Sequence, residues 1–260
     1  MYQGIDKELV RERFGRKLGS YSSQAVVQNL MAGELAEMIC RAEPARSFNR
    51  VLEVGSGSGA LMKELLGRCS VKLYYANDLV EESLPFLHEL LERFTVDEFR
   101  FFAGDIERLN FLPAELDLVL SNATLQWLED LEGFFRTMST HLVPGGILAF
   151  STFSSSNMQE ISSIEGVGLR YHTLAELEAL AAKYFDITES HEEVKRLEFP
   201  SPEAVLHHIR ETGVNGLLRS VWTKSHYQKF VNSYWREFPS EKGVYLTYHP
   251  VYCCLKNKLS

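Results

Sequence analysis

The sequence predicts a doubly wound α/β fold, a mostly parallel seven-stranded sheet whose last strand is antiparallel, with a helical insertion. Three observations carry that expectation. Apolar periodicity switches repeatedly between two and 3.6 residues, the strands read apolar on both faces, and a strand runs through a glycine turn into a helix near residue 55.

Taken in order, residues 24–42 place apolar groups three and four apart, an amphipathic helix ending before Pro44. Residues 50–54 form a short strand, 59–68 a helix, 71–76 a second strand and 81–94 a second helix, with Pro85 tolerated in its first turn. Strands follow at 99–103 and 116–121, then a helix at 131–142 closed by Pro144-Gly145-Gly146, and a strand at 147–153. This alternation of strand and helix implies parallel pairing and a Rossmann-like sheet. After a Ser-rich loop the rhythm changes: a helix near 173–183, a strand near 185–194, helices within 200–239, and one long strand at 244–255. The organisation reads as one domain. Residues 1–44 are a helical cap, 45–195 a ligand-binding core, 196–240 a helical lid and 241–260 the final strand.

Composition narrows the function classes. Across 260 residues, 27 Lys and Arg face 35 Asp and Glu, a net charge of −8. An acidic chain argues against non-specific nucleic-acid binding. No run approaches the length of a membrane span, and the charged start argues against a secretory signal. The four cysteines lack metal or redox spacing and read as buried thiols of a reducing compartment, the cytoplasm. A monomer without a metal is expected.

The strongest local signal is Glu53-Val-Gly55-Ser-Gly57-Ser-Gly59. Glycines there let the chain turn tightly and let a ligand approach the backbone, while the following helix offers unpaired N–H groups. A dinucleotide would satisfy the same glycines through Gly55, Gly57 and Ala60. Other residues favour S-adenosylmethionine. Glu53, inside the strand, suits a cationic amino group. Asp78, followed by Leu79, ends the second strand and can accept both ribose hydroxyls. Asp105 follows the third strand and can accept from the adenine amino group while Ile106 packs on the ring. Asn122 leaves the fourth strand at the crevice, with Gln126 and Trp127 next along the chain toward a sulfonium, whose charge an aromatic face attracts.

Glu53-x-Gly55-x-Gly57-x-Gly59, Asp78, Gly104-Asp105-Ile106 and Ser121-Asn122-Ala123-x-Leu125-Gln126-Trp127 resemble the class I S-adenosylmethionine-dependent methyltransferases. Two outlying segments, Phe14-x-Arg16…Tyr21…Ala25-Val-Val-Gln28 and Phe199-Pro-Ser-Pro through Gly213-Val-Asn215, are similar to the malonyl-acyl-carrier-protein O-methyltransferases of biotin synthesis. The resemblance implies methylation of the free carboxylate of a malonyl thioester, carried on acyl carrier protein or coenzyme A, with S-adenosylhomocysteine as co-product. A free diacid resembling aconitate is the alternative acceptor.

A carboxylate is already ionised at neutral pH, so no general base is expected. His172, His207 and His208 read as structural or surface groups. A guanidinium suits a carboxylate through two parallel hydrogen bonds, which makes Arg210 the first substrate candidate, a rim contact to the carrier being its other reading. Tyr21 and Tyr171 are candidate hydroxyl donors. Charge is also segregated: residues 195–236 hold seven bases and three acids, and residues 7–17 five bases and two acids, a candidate docking surface for an acidic carrier.

Overall fold

The computed structural model describes residues 6–166, 168–211 and 222–258, the side chains of 17 and 20–24 excepted. Two helices come first, α1 (Lys7–Gln24) and α2 (Val26–Ala42), separated by Ala25. Strands and helices then alternate: β1 (Ser47–Val54), α3 (Ala60–Leu66), β2 (Ser70–Asp78), α4 (Leu84–Leu91), β3 (Val96–Ala103), β4 (Leu116–Asn122), α5 (Leu131–His141) and β5 (Leu142–Phe153). The remainder comprises α6 (Gln159–Glu165), α7 (Leu174–Ala181), β6 (Phe185–Glu192), β7 (Lys195–Phe199), α8 (Pro202–Glu211), α9 (Lys224–Glu237), β8 (Pro239–Ser240), β9 (Gly243–Tyr248) and β10 (Pro250–Asn257).

The main sheet has seven strands in the order β3-β2-β1-β4-β5-β10-β6. Strands β1 to β5 pair in parallel, and β10 is antiparallel to both of its neighbours. Successive side chains of a strand point to opposite faces, so each central strand feeds two cores. On β1, Val51 joins one core, while Leu52 joins the other. Cys254 and Cys253 divide in the same way on β10, and all four cysteines are free and buried. Helices α2, α3, α4, α6, α8 and α9 supply the first core, and α5 and α7 the second. The strand order reverses at β1 and β4. There the chain leaves opposite sides of the carboxyl edge and opens a crevice.

Three stretches differ from the sequence reading. Pro144-Gly145-Gly146 lies inside β5, where the register against β4 shifts between Leu116 and Leu118, so the helix stopper is also a strand irregularity. The expected single strand at 244–255 is two strands in different sheets. β9 joins a second antiparallel sheet, β7-β9-β8, and the chain crosses to the main sheet at His249. Pro250 follows; it lacks an N–H and biases the residue before it away from helix, a natural place to change partners. Finally, α6 and β7 occupy segments that carried no assignment, because both are too short for a clear period.

Candidate functional site

Glycines make the turn after β1 possible. Gly55, Gly57 and Gly59 all have positive φ, at 75°, 50° and 82°. A Cβ on Gly55 would lie 2.1 Å from the Thr124 hydroxyl, and one on Gly59 would lie 2.2 Å from Leu90. At Gly57 a Cβ would meet nothing within 4 Å: it would project into open space. Two of these glycines are therefore required by the protein's own packing, and the third leaves room for something else.

That room belongs to a hollow of about 1030 Å³, its solvent-open mouth included, a size suited to a cofactor. Glu53, Gly55, Gly57, Asp78, Leu79, Asp105, Ile106, Asn122 and Trp127 all line it, so carboxyl groups from the ends of three adjacent strands surround one space. Gly59 shapes the turn without lining it.

Each carboxyl is held differently. Glu53 is buried and accepts a hydrogen bond from the Tyr74 hydroxyl at 2.6 Å. Burial pushes its pKa up to about 8, opposed by that hydrogen bond and reinforced by the nearby charge of Asp78. Asp78 accepts from the backbone N–H of Gly57 at 2.7 Å and of Val80 at 2.8 Å. Burial lifts its pKa to about 6 despite those donors. Asp78 thus fixes the glycine turn through one oxygen while both oxygens keep further acceptor capacity. Asp105 receives the Lys7 ammonium at 2.8 and 2.7 Å. Lys7 also bonds Glu107, which accepts from the backbone N–H groups of Glu129 and Asp130. Burial acts to lower the Lys7 pKa, but these carboxylates outweigh it and raise the ammonium above its ordinary value.

Asn122 is a bracket. Its side-chain nitrogen donates to the backbone oxygen of Gln28 at 3.0 Å, and its oxygen accepts from Ser151 at 2.6 Å, tying the start of α2 to β4 and β5. Gln126 is absent from the hollow's lining, its amide spent on the Ala123 carbonyl and the Thr152 hydroxyl. Tyr171 is also absent from the lining: its hydroxyl accepts from Asn157 at 3.0 Å, and burial pushes its pKa up to about 12. Arg210 is exposed in the last turn of α8 and does not line the hollow. The side chain of Tyr21 lies outside the described residues.

The sequence reading missed one wall. Lys7, Val10, Phe14 and Leu18 of α1 and Gln28 of α2 line the hollow, and Phe14 meets Trp127 edge-on at 6.0 Å between ring centroids. Spacings of three and four along residues 7, 10, 14 and 18 define one helix face, a signal diluted by the surrounding charges. Among the described residues the cover comes from α1, against which α8 packs, while α8 and α9 add nothing to the lining. No group of three His, Cys, Asp or Glu among the described residues could hold a metal ion, and no described helix is long and apolar enough to cross a membrane.

Residues 52–150, which include every carboxyl of the hollow, match the model of the methyltransferase domain family. Over 254 residues the chain is 48% identical to the malonyl-[acyl-carrier protein] O-methyltransferase of Prosthecochloris aestuarii, covering 98% of this chain and 95% of that one. The Chlorobium luteolum protein of the same name is 51% identical over 253 residues, with 97% and 96% covered. The chain belongs to this methyltransferase family. Solved structures agree on the fold. The YcgJ protein of Bacillus subtilis superposes with a TM-score of 0.61 at 14% identity, over 87% of this chain and 98% of its own. The N-methyltransferase NodS of Bradyrhizobium japonicum, solved with S-adenosylhomocysteine, gives 0.51 at 13% identity, over 86% and 85%. The protein is an S-adenosylmethionine-dependent methyltransferase, and the open space at Gly57 together with the convergent acceptors suits that cofactor's cationic, hydroxyl-bearing and heterocyclic parts.

Proposed function

We propose that this enzyme methylates the free carboxylate of a malonyl thioester on acyl carrier protein, the ester-forming step of biotin synthesis. The observation that carries the substrate is near-full-length identity to proteins bearing that activity in their names. Glu53 would face the amino-acid end of the cofactor and Asp78 the ribose. Asp105 would meet the adenine edge, with Ile106 against the ring. S-adenosylmethionine supplies a methyl group on a cationic sulfur.

The chain's part is positional. The acceptor carboxylate needs no deprotonation, so the residues must align it and keep water out. Opposite charges cancel as the methyl moves, and water favours the separated ions, so a dry site assists. Val10, Phe14 and Leu18 supply an apolar cover for that purpose. Exposed Arg196, Arg210, Lys224 and Lys229 lie on the segment with excess positive charge. They would meet an acidic carrier protein and steer its approach. The four buried thiols fit a cytoplasmic enzyme.

The test is a methyl-transfer assay on malonyl-acyl carrier protein, malonyl-coenzyme A and free diacids, read as the mass gain of one methylene. Transfer to the malonyl thioester, fastest on the carrier protein, is expected. Transfer confined to a free diacid would overturn the assignment.

A further inference from the structure

Gln28 is 3% exposed, lines the hollow, and makes no side-chain hydrogen bond to any described residue. The carboxamide opens on the hollow rather than being sealed in the core, and nothing in the packing of α2 requires a polar group there: Val27, Met31, Ala32 and Leu35 beside it are all apolar. Its backbone is held, since its carbonyl accepts from Asn122, which Ser151 holds in turn. The side chain is thus an unpaired polar group on a fixed mount, lining the hollow together with Phe14 and Leu18 of α1.

We propose that the Gln28 carboxamide is the donor that holds the acceptor's carboxylate, which makes Gln28 a specificity residue for an acyl chain ending in an anion. This rests on the carboxyl-methylating function above. Of the other polar groups, the Asn122 amide bridges Gln28 and Ser151, the Thr124 hydroxyl donates to the Asn122 carbonyl, and the unpaired Ser56 hydroxyl belongs to the glycine turn after β1. Lys7, the cation among the described lining residues, is tied to Asp105 and Glu107, and Arg210 lies outside the lining. A neutral donor also suits the chemistry. The attacking oxygen loses negative charge on the way to the transition state, so a guanidinium would stabilise the starting carboxylate more than the transition state, whereas an amide does so less. In the transfer one carboxylate oxygen forms the O–CH₃ bond as the S–CH₃ bond breaks. The electron pair stays on sulfur and no proton moves, so the amide acts only as a hydrogen-bond donor.

Gln28→Leu and Gln28→Asn test this beside the parent enzyme, with three readouts. The acceptor KM for malonyl-acyl carrier protein should rise roughly ten- to hundredfold, the loss of one hydrogen bond to a charged group. S-adenosylhomocysteine affinity by titration calorimetry should stay within about twofold, since the donor end is untouched. The unliganded Leu variant should melt within about two degrees of the parent, because no protein partner of the amide is lost. An unchanged acceptor KM in both variants would overturn the proposal, and so would S-adenosylhomocysteine affinity falling as far as the KM rises, which would give the amide to the donor. A melting temperature several degrees lower in both variants would make Gln28 structural. If the parent enzyme itself fails on malonyl thioesters, the proposed function fails first, a result distinguishable from any of these.

Discussion

The hollow has two dissimilar halves. At the strand ends, the Asp78 carboxylate accepts from the backbone N–H groups of Gly57 and Val80, and the Gly55 N–H donates to the Asn77 carbonyl. On the opposite side, α1 contributes an apolar stripe and is pinned at its start by Lys7 reaching Asp105 and Glu107. The first half is built by backbone geometry that tolerates little change. The second is built by side chains on a helix, where substitutions alter fit before they alter the fold. The strand-end half should therefore respond to mutation in an all-or-none way, and the α1 half by degrees.

The sharpest way to break that contrast is Gly57→Val. Its side chain would enter the open space at this position, so S-adenosylhomocysteine binding should fall at least roughly a hundredfold in calorimetry, against the few kcal/mol a clash typically costs. Normal binding would show that nothing sits over Gly57. Gly55→Ala comes next and acts on stability: with a positive φ and Thr124 at 2.1 Å from the new Cβ, a loss of about 2–4 kcal/mol is expected in urea denaturation. Asp78→Asn should weaken S-adenosylhomocysteine roughly tenfold, because one acceptor for the Gly57 N–H or a ribose hydroxyl becomes a donor.

pH sharpens the comparison further. Glu53 and Asp78 have folded pKa values raised to about 8 and about 6. The folded state thus holds protons that the unfolded chain has released. Their contribution to stability is complete below the ordinary carboxylate range and is lost as pH rises through about 6 and then about 8. Urea denaturation of the unliganded protein should show declining stability across that interval. A cationic ligand amino group beside Glu53 favours its ionised form, so S-adenosylhomocysteine binding should release a proton below about pH 8. Calorimetry in buffers of different ionisation enthalpy would register it, and proton uptake would contradict it. The smallest effect is reserved for Lys7→Met. Its loss leaves Asp105 and Glu107 without their shared cation, so α1 should loosen and S-adenosylhomocysteine should leave a few times faster in stopped flow.

Legibility followed the same division. The strand-end half of the hollow could be read in the sequence because each acid lies at or near the end of a strand whose apolar run and glycine punctuation are local features: Glu53 in β1, Asp78 at the end of β2, Asp105 just past β3. The α1 half depends on which helix returns to cover the crevice, and that is decided by tertiary packing. Val10, Phe14 and Leu18 carry the right spacing among five nearby bases and two acids, which hide it. Gln28 sits in an apolar helix where a single polar residue gives no pattern. For a similar reason Gln126 and Tyr171, plausible by type and position, turn out to be bonded to Thr152 and Asn157. The split of β9 from β10 was hidden because Val244–Leu255 is mostly apolar, and the change of sheet at His249 depends on pairing partners far along the chain.

A crystal structure of the complex with S-adenosylhomocysteine tests the central claim most directly. The adenine edge should lie at Asp105, the ribose hydroxyls at Asp78, the amino group toward Glu53, and the sulfur should face the end of the hollow where Gln28 and Trp127 stand. A ligand bound in reverse, or outside the space enclosed by those three carboxyls, would contradict it.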